Sequence, residues 1–190
     1  AYLALGVIAL FVLGSAATVI EMVYHLQLNS AMGTELSFMG LKPDAKGLDR
    51  WFGAGFILSL ACDFVLATAS ARFCAVFTRV GLVPDLGAFY LLPRVVGLMR
   101  AKELVFSARE VDAEEARSLG IVYEVVPEDQ LLDEALALAA RFHGAATQAI
   151  GISKNILNRS FNLDQDTLSE LEAAAQAMVM KTDYHQDAVA

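Results

Sequence analysis

Cationic side chains are in short supply in this sequence: 14 Lys and Arg stand against 22 Asp and Glu, for a formal net charge of -8 at pH 7. No block of Lys or Arg could follow a phosphate backbone, which excludes nucleic acid as a partner. An anionic small ligand is not excluded, because a few local cations and helix N-termini can bind phosphate whatever the global charge. Cysteine is as scarce, with Cys62 and Cys74 the only two. Both lie in apolar runs, and their spacing fits neither a zinc site nor a CxxC redox pair, so both read as buried, reduced core residues. The three histidines, His25, His143 and His185, fall in unrelated segments with no Cys or carboxylate partner at ligand spacing. No metal site and no redox cofactor is therefore implied. No repeat or low-complexity linker divides the chain. With 56% hydrophobic residues in 190, it is long enough and apolar enough for one domain with a sizeable core.

Charge is missing altogether from Ala1 to Ile20, a length that could cross a bilayer as a helix. Buried parallel strands produce the same apolar runs. Gly6, Gly14 and Ser15, the lack of a basic flank, and the β-branched clusters Val7-Ile8 and Thr18-Val19-Ile20 favour strands, so no membrane association is expected. Val7 to Leu13 and Thr18 to Leu28 read as strands, and Lys42-Pro43-Asp44 as a turn.

From Phe56 the pattern sharpens into an apolar helical run, FILSLACD, then the β-rich FVLATAS, then a loop, Gly81 to Asp85. Pro84 and Asp85 suit a helix start, with Asp85 as a possible cap, and that helix should run through Phe89, Tyr90, Leu91 and Leu92 until Pro93 disturbs it. Leu98 to Phe106 is another helical stretch. Asp112-Ala113-Glu114-Glu115 has the form of a reciprocal capping box, opening a helix that should stop at Gly120. Ile121 to Val126 reads as a short buried strand closed by Pro127. Leu131, Leu132, Ala135, Leu138, Ala139 and Phe142 then recur at helical spacing, and a last helix around Leu168 to Met180 carries Leu168, Leu171, Ala175, Met178 and Val179 on one side.

Taken in order, GAGFILSLACDFVLA, GLVPDLGAFYLLPRVVG and AREVDAEEARSLGIVYEVVP resemble the crotonase (enoyl-CoA hydratase/isomerase) superfamily in residue type and spacing. The helical remainder is similar to that family's C-terminal trimerisation region. The resemblance implies an α/β fold, a crotonase-like ββα spiral over 1–126 with its N-terminal part incomplete, followed by a helical C-terminal region over 127–190. It also implies an acyl-CoA substrate with no cofactor beyond that coenzyme A, assembly as a homotrimer or homohexamer, and a cytoplasmic setting.

Family chemistry runs through an enolate of the thioester, whose oxygen is held by two backbone N-H groups, each donor typically worth ~3 to 4 kcal/mol. Carried over, one donor is the N-H of Ala54 in the triplet Gly53-Ala54-Gly55, where flanking glycines let substrate approach the main chain. Tight helix packing is the other use such glycines have. The second donor belongs to a motif resembling AGGD that is not found here. Its nearest echoes are Leu28 to Met32 and Ser37-Phe38-Met39, and Trp51-Phe52 runs straight into Gly53 where a strand is usual. Segments of the native protein are expected to be absent from the sequence.

Hydratases of the family carry glutamates at the positions occupied here by Ile57 and Phe77, and neither residue can transfer a proton. The acid of the GLVPD loop is kept as Asp85, the position that isomerases use. One carboxylate suffices for double-bond migration, since it can take a proton from C2 and return it at C4. Apolar Ile57, Phe77 and Leu86 would line the substrate and keep water out. A hydratase using Asp85 differently and a non-catalytic acyl-CoA-binding protein stay open as alternatives. Asp63 reads as a structural acid at a helix end, and Ser107, Arg109 and Glu110 as surface loop. Lys154 or Arg94 could meet CoA phosphates, and Phe89 and Tyr90 read as core.

Overall fold

The computed structural model describes residues 7–10 and 51–190. Two compact units divide the chain, and as described they take residues 7–10 with 51–139, and 140–190. The expected strand over Thr18 to Leu28, the turn at Lys42-Pro43-Asp44 and the stretches Leu28 to Met32 and Ser37 to Met39 lie outside the described residues.

In the first unit, β1 (Val7–Leu10) pairs antiparallel with β3 (Phe64–Ala67), which pairs in parallel with β6 (Glu124–Val125). Part of the uncharged N-terminal run is thus strand, and among the described residues no helix is long and apolar enough to cross a membrane. A second sheet joins β2 (Trp51–Phe52) in parallel to β4 (Arg72–Cys74), which pairs antiparallel with β5 (Val111–Asp112). Trp51-Phe52 therefore supplies the strand that the sequence reading found missing before Gly53. Aromatic residues suit a strand position, and the backbone of β4 completes their hydrogen bonds.

Helix α1 (Ala54–Leu60) follows β2 directly. Phe56, Ile57 and Leu60 recur on its inner face and are buried against Val65, Ala67, Phe73, Leu92 and Leu104. The rings of Phe56 and Phe73 meet edge to face, with centroids 5.9 Å apart, a pairing that adds to the area both rings bury. Helix α2 (Ala88–Val96) contains Pro93 and runs past it. The disturbance expected at Pro93 stays small because only the bond to the Phe89 carbonyl is forgone, one turn from the end that Gly97 makes at φ 77°.

Helix α3 (Leu98–Ser107) buries Ala101 and Leu104. Its C-cap, Ala108, is left-handed at φ 46° although it carries a Cβ. Asp112 caps α4 (Ala113–Ser118) by accepting the Glu115 N-H at 2.8 Å. The reciprocal half of the expected box is absent, because the Glu115 carboxylate instead takes Nη1 and Nη2 of Arg109 at 2.8 and 2.6 Å. Arg109 also grips Glu103 through Nε at 2.6 Å and Nη2 at 3.1 Å. Far from being plain surface loop, it clamps the end of α3 to the start of α4. The expected strand over Ile121 to Val126 is cut to Glu124–Val125, since Ile121 and Val122 spend their N-H groups on the Ala116 carbonyl. Helix α5 (Leu131–Ala140) buries Leu131, Ala135 and Leu138 at the spacing read from the sequence.

The second unit holds α6 (Thr147–Arg159), α7 (Gln165–Val179) and α8 (Asp183–Val189), with α6 packed on α7. Helix α7 begins three residues before Leu168 because Asp164 caps it, accepting the Thr167 N-H and hydroxyl at 2.9 and 2.8 Å. Its stripe of Leu168, Leu171, Ala175 and Val179 is half-buried, while Met178, expected on that side, is exposed.

Candidate active site

Chain geometry at the glycine triplet is fixed from two directions. Gly53 is the N-cap of α1, at φ 56° and ψ -111°, a combination open in practice to glycine alone. Its N-H donates to the Cys74 carbonyl at 2.9 Å, and its own carbonyl accepts the Ile57 N-H at 3.1 Å. A Cβ added at Gly53 would meet Val76 Cγ1 at 3.2 Å and Phe77 Cζ at 3.6 Å. The structure thus brings Gly53 and Phe77 into contact, as close packing requires. No side chain caps α1, so the N-H of Ala54 belongs to a first turn whose donors have no intrahelical acceptor. Gly53 and Gly55 are both buried.

Ile57 has no exposed surface and Phe77 is 8% exposed. Both pack into the core cluster behind the triplet. Ile57 therefore presents no face to a ligand in this structure.

From Phe77 a 3-10 turn, Val76–Val80, ends at left-handed Gly81, and the loop to α2 carries Asp85. Leu86 at φ 52° and Gly87 at φ 86° are both left-handed, which delays the helix to Ala88. Asp85 consequently does not cap α2: Gly87 holds that position with no side-chain bond, and Asp85 contributes only its carbonyl, accepting the Ala88 N-H at 2.9 Å. Its carboxylate is exposed, as is Leu86. Among the described residues no hydrogen bond or ion pair engages that carboxylate.

The other candidates have different employment. Arg94 lies over the Tyr90 ring, 3.5 Å from its centroid, and donates to the Tyr90 carbonyl at 2.8 Å. Phe89 and Tyr90, expected in the core, are 62% and 40% exposed, because Ala88 and Leu92 turn inward from the same helix. Lys154 lies on α6 in the second unit. Cys74 is buried, whereas Cys62, expected to be buried as well, is only half so. Burial raises the Cys74 thiol pKa above its ordinary value, and nearby Arg79 opposes that shift. A cleft of about 350 Å³ opens elsewhere in the first unit, lined by Ser59, Asp63, Val65, Val95, Ile121 and Tyr123 among others. It contains neither the triplet nor Asp85. Among the described residues no group of three or more His, Cys, Asp or Glu is placed to hold a metal ion.

Residues 50–189 match the sequence model of enoyl-CoA hydratase/isomerase. The chain belongs to the enoyl-CoA hydratase/isomerase family. It is 36% identical over 135 residues to 1,2-epoxyphenylacetyl-CoA isomerase of Escherichia coli, covering 70% of this chain and 52% of that protein. To short-chain-enoyl-CoA hydratase of Clostridium acetobutylicum it is 32% identical over 137 residues, covering 72% and 52%. A solved enoyl-CoA hydratase/isomerase from Cupriavidus metallidurans CH34 superposes with a TM-score of 0.68 at 53% identity, over 70% of this chain and 50% of that one. The crotonase-type α/β fold expected from the sequence is thereby shown. The chain spans about half the length of these relatives.

Two anchors of this region escaped the sequence reading. Arg109 stands six residues from each of its partners, Glu103 and Glu115, a separation that no helical periodicity marks. Arg79 reaches the Ala108 carbonyl, 29 residues away, and only the fold makes that pairing visible.

Proposed function

We propose that the protein is an acyl-CoA enzyme that works through a thioester enolate and moves the double bond of an enoyl-CoA. The observation that carries this reading is which of the family's catalytic acid positions this chain keeps. At the two positions where the resembled hydratases hold glutamates, this chain has Ile57 and Phe77, both buried and apolar. Asp85 is kept at the position where isomerases of the family place their working acid, and its side chain is not consumed by capping.

In the proposed reaction, the thioester carbonyl lies against the N-H of Ala54. That donor stabilises the oxyanion as Asp85 takes a proton from C2. The electron pair delocalises through the existing double bond, and the proton returns from Asp85 to C4, leaving the double bond between C2 and C3. Atoms balance with no water consumed and no cofactor besides the coenzyme A of the substrate.

The relative named a hydratase supports a second reading, in which Asp85 positions water for addition to a 2-enoyl-CoA. Assaying the protein with 3-enoyl-CoA and with crotonyl-CoA separates the two. Isomerisation that Asp85→Asn lowers by about 100-fold or more supports the first reading, and formation of 3-hydroxyacyl-CoA supports the second. A protein that binds acyl-CoA and turns over neither substrate is a binding protein, and both enzyme readings then fail. Assembly as a trimer or a dimer of trimers belongs to the same proposal. Exposed Leu157, Phe161 and Met178 in the helical unit are apolar surface of the kind subunit contacts bury, and sedimentation equilibrium tests it.

A further inference from the structure

The carbonyl of Ala108 collects two donors from one short segment. Arg79 Nη2 donates to it, and so does Cys74 Sγ, at 3.1 Å. Between those residues, Thr78 Oγ1 donates to the Val105 carbonyl at 2.7 Å. Segment 74–79 is thereby pinned to the C-terminal end of α3 at three side chains. The acceptor is itself unusual, a buried alanine held at φ 46°, a conformation that persists in a residue with a Cβ only where its surroundings over-determine it. The same segment supports the triplet. The Cys74 carbonyl accepts the Gly53 N-H at 2.9 Å, and the Phe77 ring lies under Gly53. Cys74 is thus a relay, with its thiol on Ala108 and its carbonyl on Gly53.

We propose that Arg79 is a positioning residue for the Gly53-Ala54 turn: by clamping segment 74–79 onto the Ala108 carbonyl, it fixes where the Ala54 N-H points. This rests on the reading of Ala54 as an oxyanion donor. Arg79 touches neither the triplet nor Asp85 in any contact described above, so its effect passes through Cys74 and Phe77. An oxyanion donor has to be placed before charge develops, and displacement of a catalytic group by a fraction of its bond length reduces turnover more than binding.

The test compares wild type with Arg79→Ala, Arg79→Lys and the milder Thr78→Val, with Arg117→Ala as an exposed control whose guanidinium meets Glu114. Two readouts are taken: hydrogen exchange of the Gly53 and Ile57 amides, bonded to the Cys74 and Gly53 carbonyls, relative to amides in the middle of α3, and the kcat and KM of isomerisation. Expected for Arg79→Ala is about tenfold faster exchange at Gly53 and Ile57, unchanged exchange within α3, and a kcat lowered by ~10 to 100-fold at nearly constant KM. Lysine should restore most of both, and Arg117→Ala should change neither. Should Arg79→Ala fail to fold, Thr78→Val is expected to give the same local pattern more weakly. Wild-type exchange at Gly53 and Ile57 in both variants, or exchange raised equally throughout the unit, overturns the proposal. Faster local exchange in a protein that turns over no enoyl-CoA upholds the clamp and overturns the enzymatic reading instead.

Discussion

Replacing Arg109 with methionine removes a guanidinium that holds two carboxylates while keeping most of its aliphatic stem. Four N-O contacts of 2.6 to 3.1 Å are lost, two to Glu103 and two to Glu115. Each pair is bidentate, which places it at the upper end for its class. The side chains are nevertheless 33% to 36% exposed, so solvent screens them and each pair contributes no more than about 1 kcal/mol. The sum is roughly 1 to 2 kcal/mol, or a Tm lower by about 2 to 8 °C for a chain of this length. The clamp also sets a pH dependence. Hydrogen bonding to Arg109 lowers the Glu103 pKa to about 2 from 4.5 and lowers that of Glu115 as well. A carboxylate with a depressed folded-state pKa contributes stability that is complete above its unfolded pKa and is lost as the pH falls through the folded value. Thermal melts of wild type and Arg109→Met should therefore differ by a constant amount near neutral pH. The gap should narrow below about pH 4.5 and continue to close toward pH 2. Raising salt to about 1 M should narrow it at neutral pH too. Identical melts at neutral pH, or a gap that neither acid nor salt changes, would refute the clamp.

Gly53→Ala should cost about 1 to 3 kcal/mol in chemical denaturation, since the new Cβ is forced into a glycine-only backbone region and lies 3.2 Å from Val76 Cγ1; stability equal to wild type would show that the turn adjusts freely. In the native protein a thiol reagent should modify half-buried Cys62 first and reach Cys74 only on unfolding, because Cys74 is buried with a raised pKa. Peptide mapping that finds Cys74 modified first would contradict this.

Where a feature is local, the residues disclosed it in advance. Asp112 three residues before Glu115 marked a cap, and Leu131, Ala135 and Leu138 marked a buried face, because hydrogen-bond reach and the 3.6-residue turn are properties of the chain itself. The second half of the capping box was misread because Glu115 had a better partner in Arg109, and local spacing says nothing about a competitor from across the fold. Leu86 is a similar case. Nothing in leucine announces φ 52°, yet that residue, with Gly87, pushes the start of α2 past Asp85 and removes the cap that Pro84-Asp85 suggested. Phe89 and Tyr90 looked like core by composition, but the helical phase set by Ala88 and Leu92 turned them outward. The triplet was legible because Gly53 serves a backbone requirement, whereas its dependence on Cys74, Arg79 and Ala108 spans too many residues for any pattern to carry.

The most direct test of the enolate reading follows the proton. A 3-enoyl-CoA deuterated at C2 is given to the protein in H₂O, and NMR records the rate at which the 2-enoyl product forms and the deuterium carried to its C4, for wild type and for Asp85→Asn. Expected is product carrying that deuterium at C4 from wild type and a rate at least ~100-fold lower from the variant, with acyl-CoA binding retained. Equal rates from the two proteins, or 3-hydroxyacyl-CoA as the only product, would contradict it.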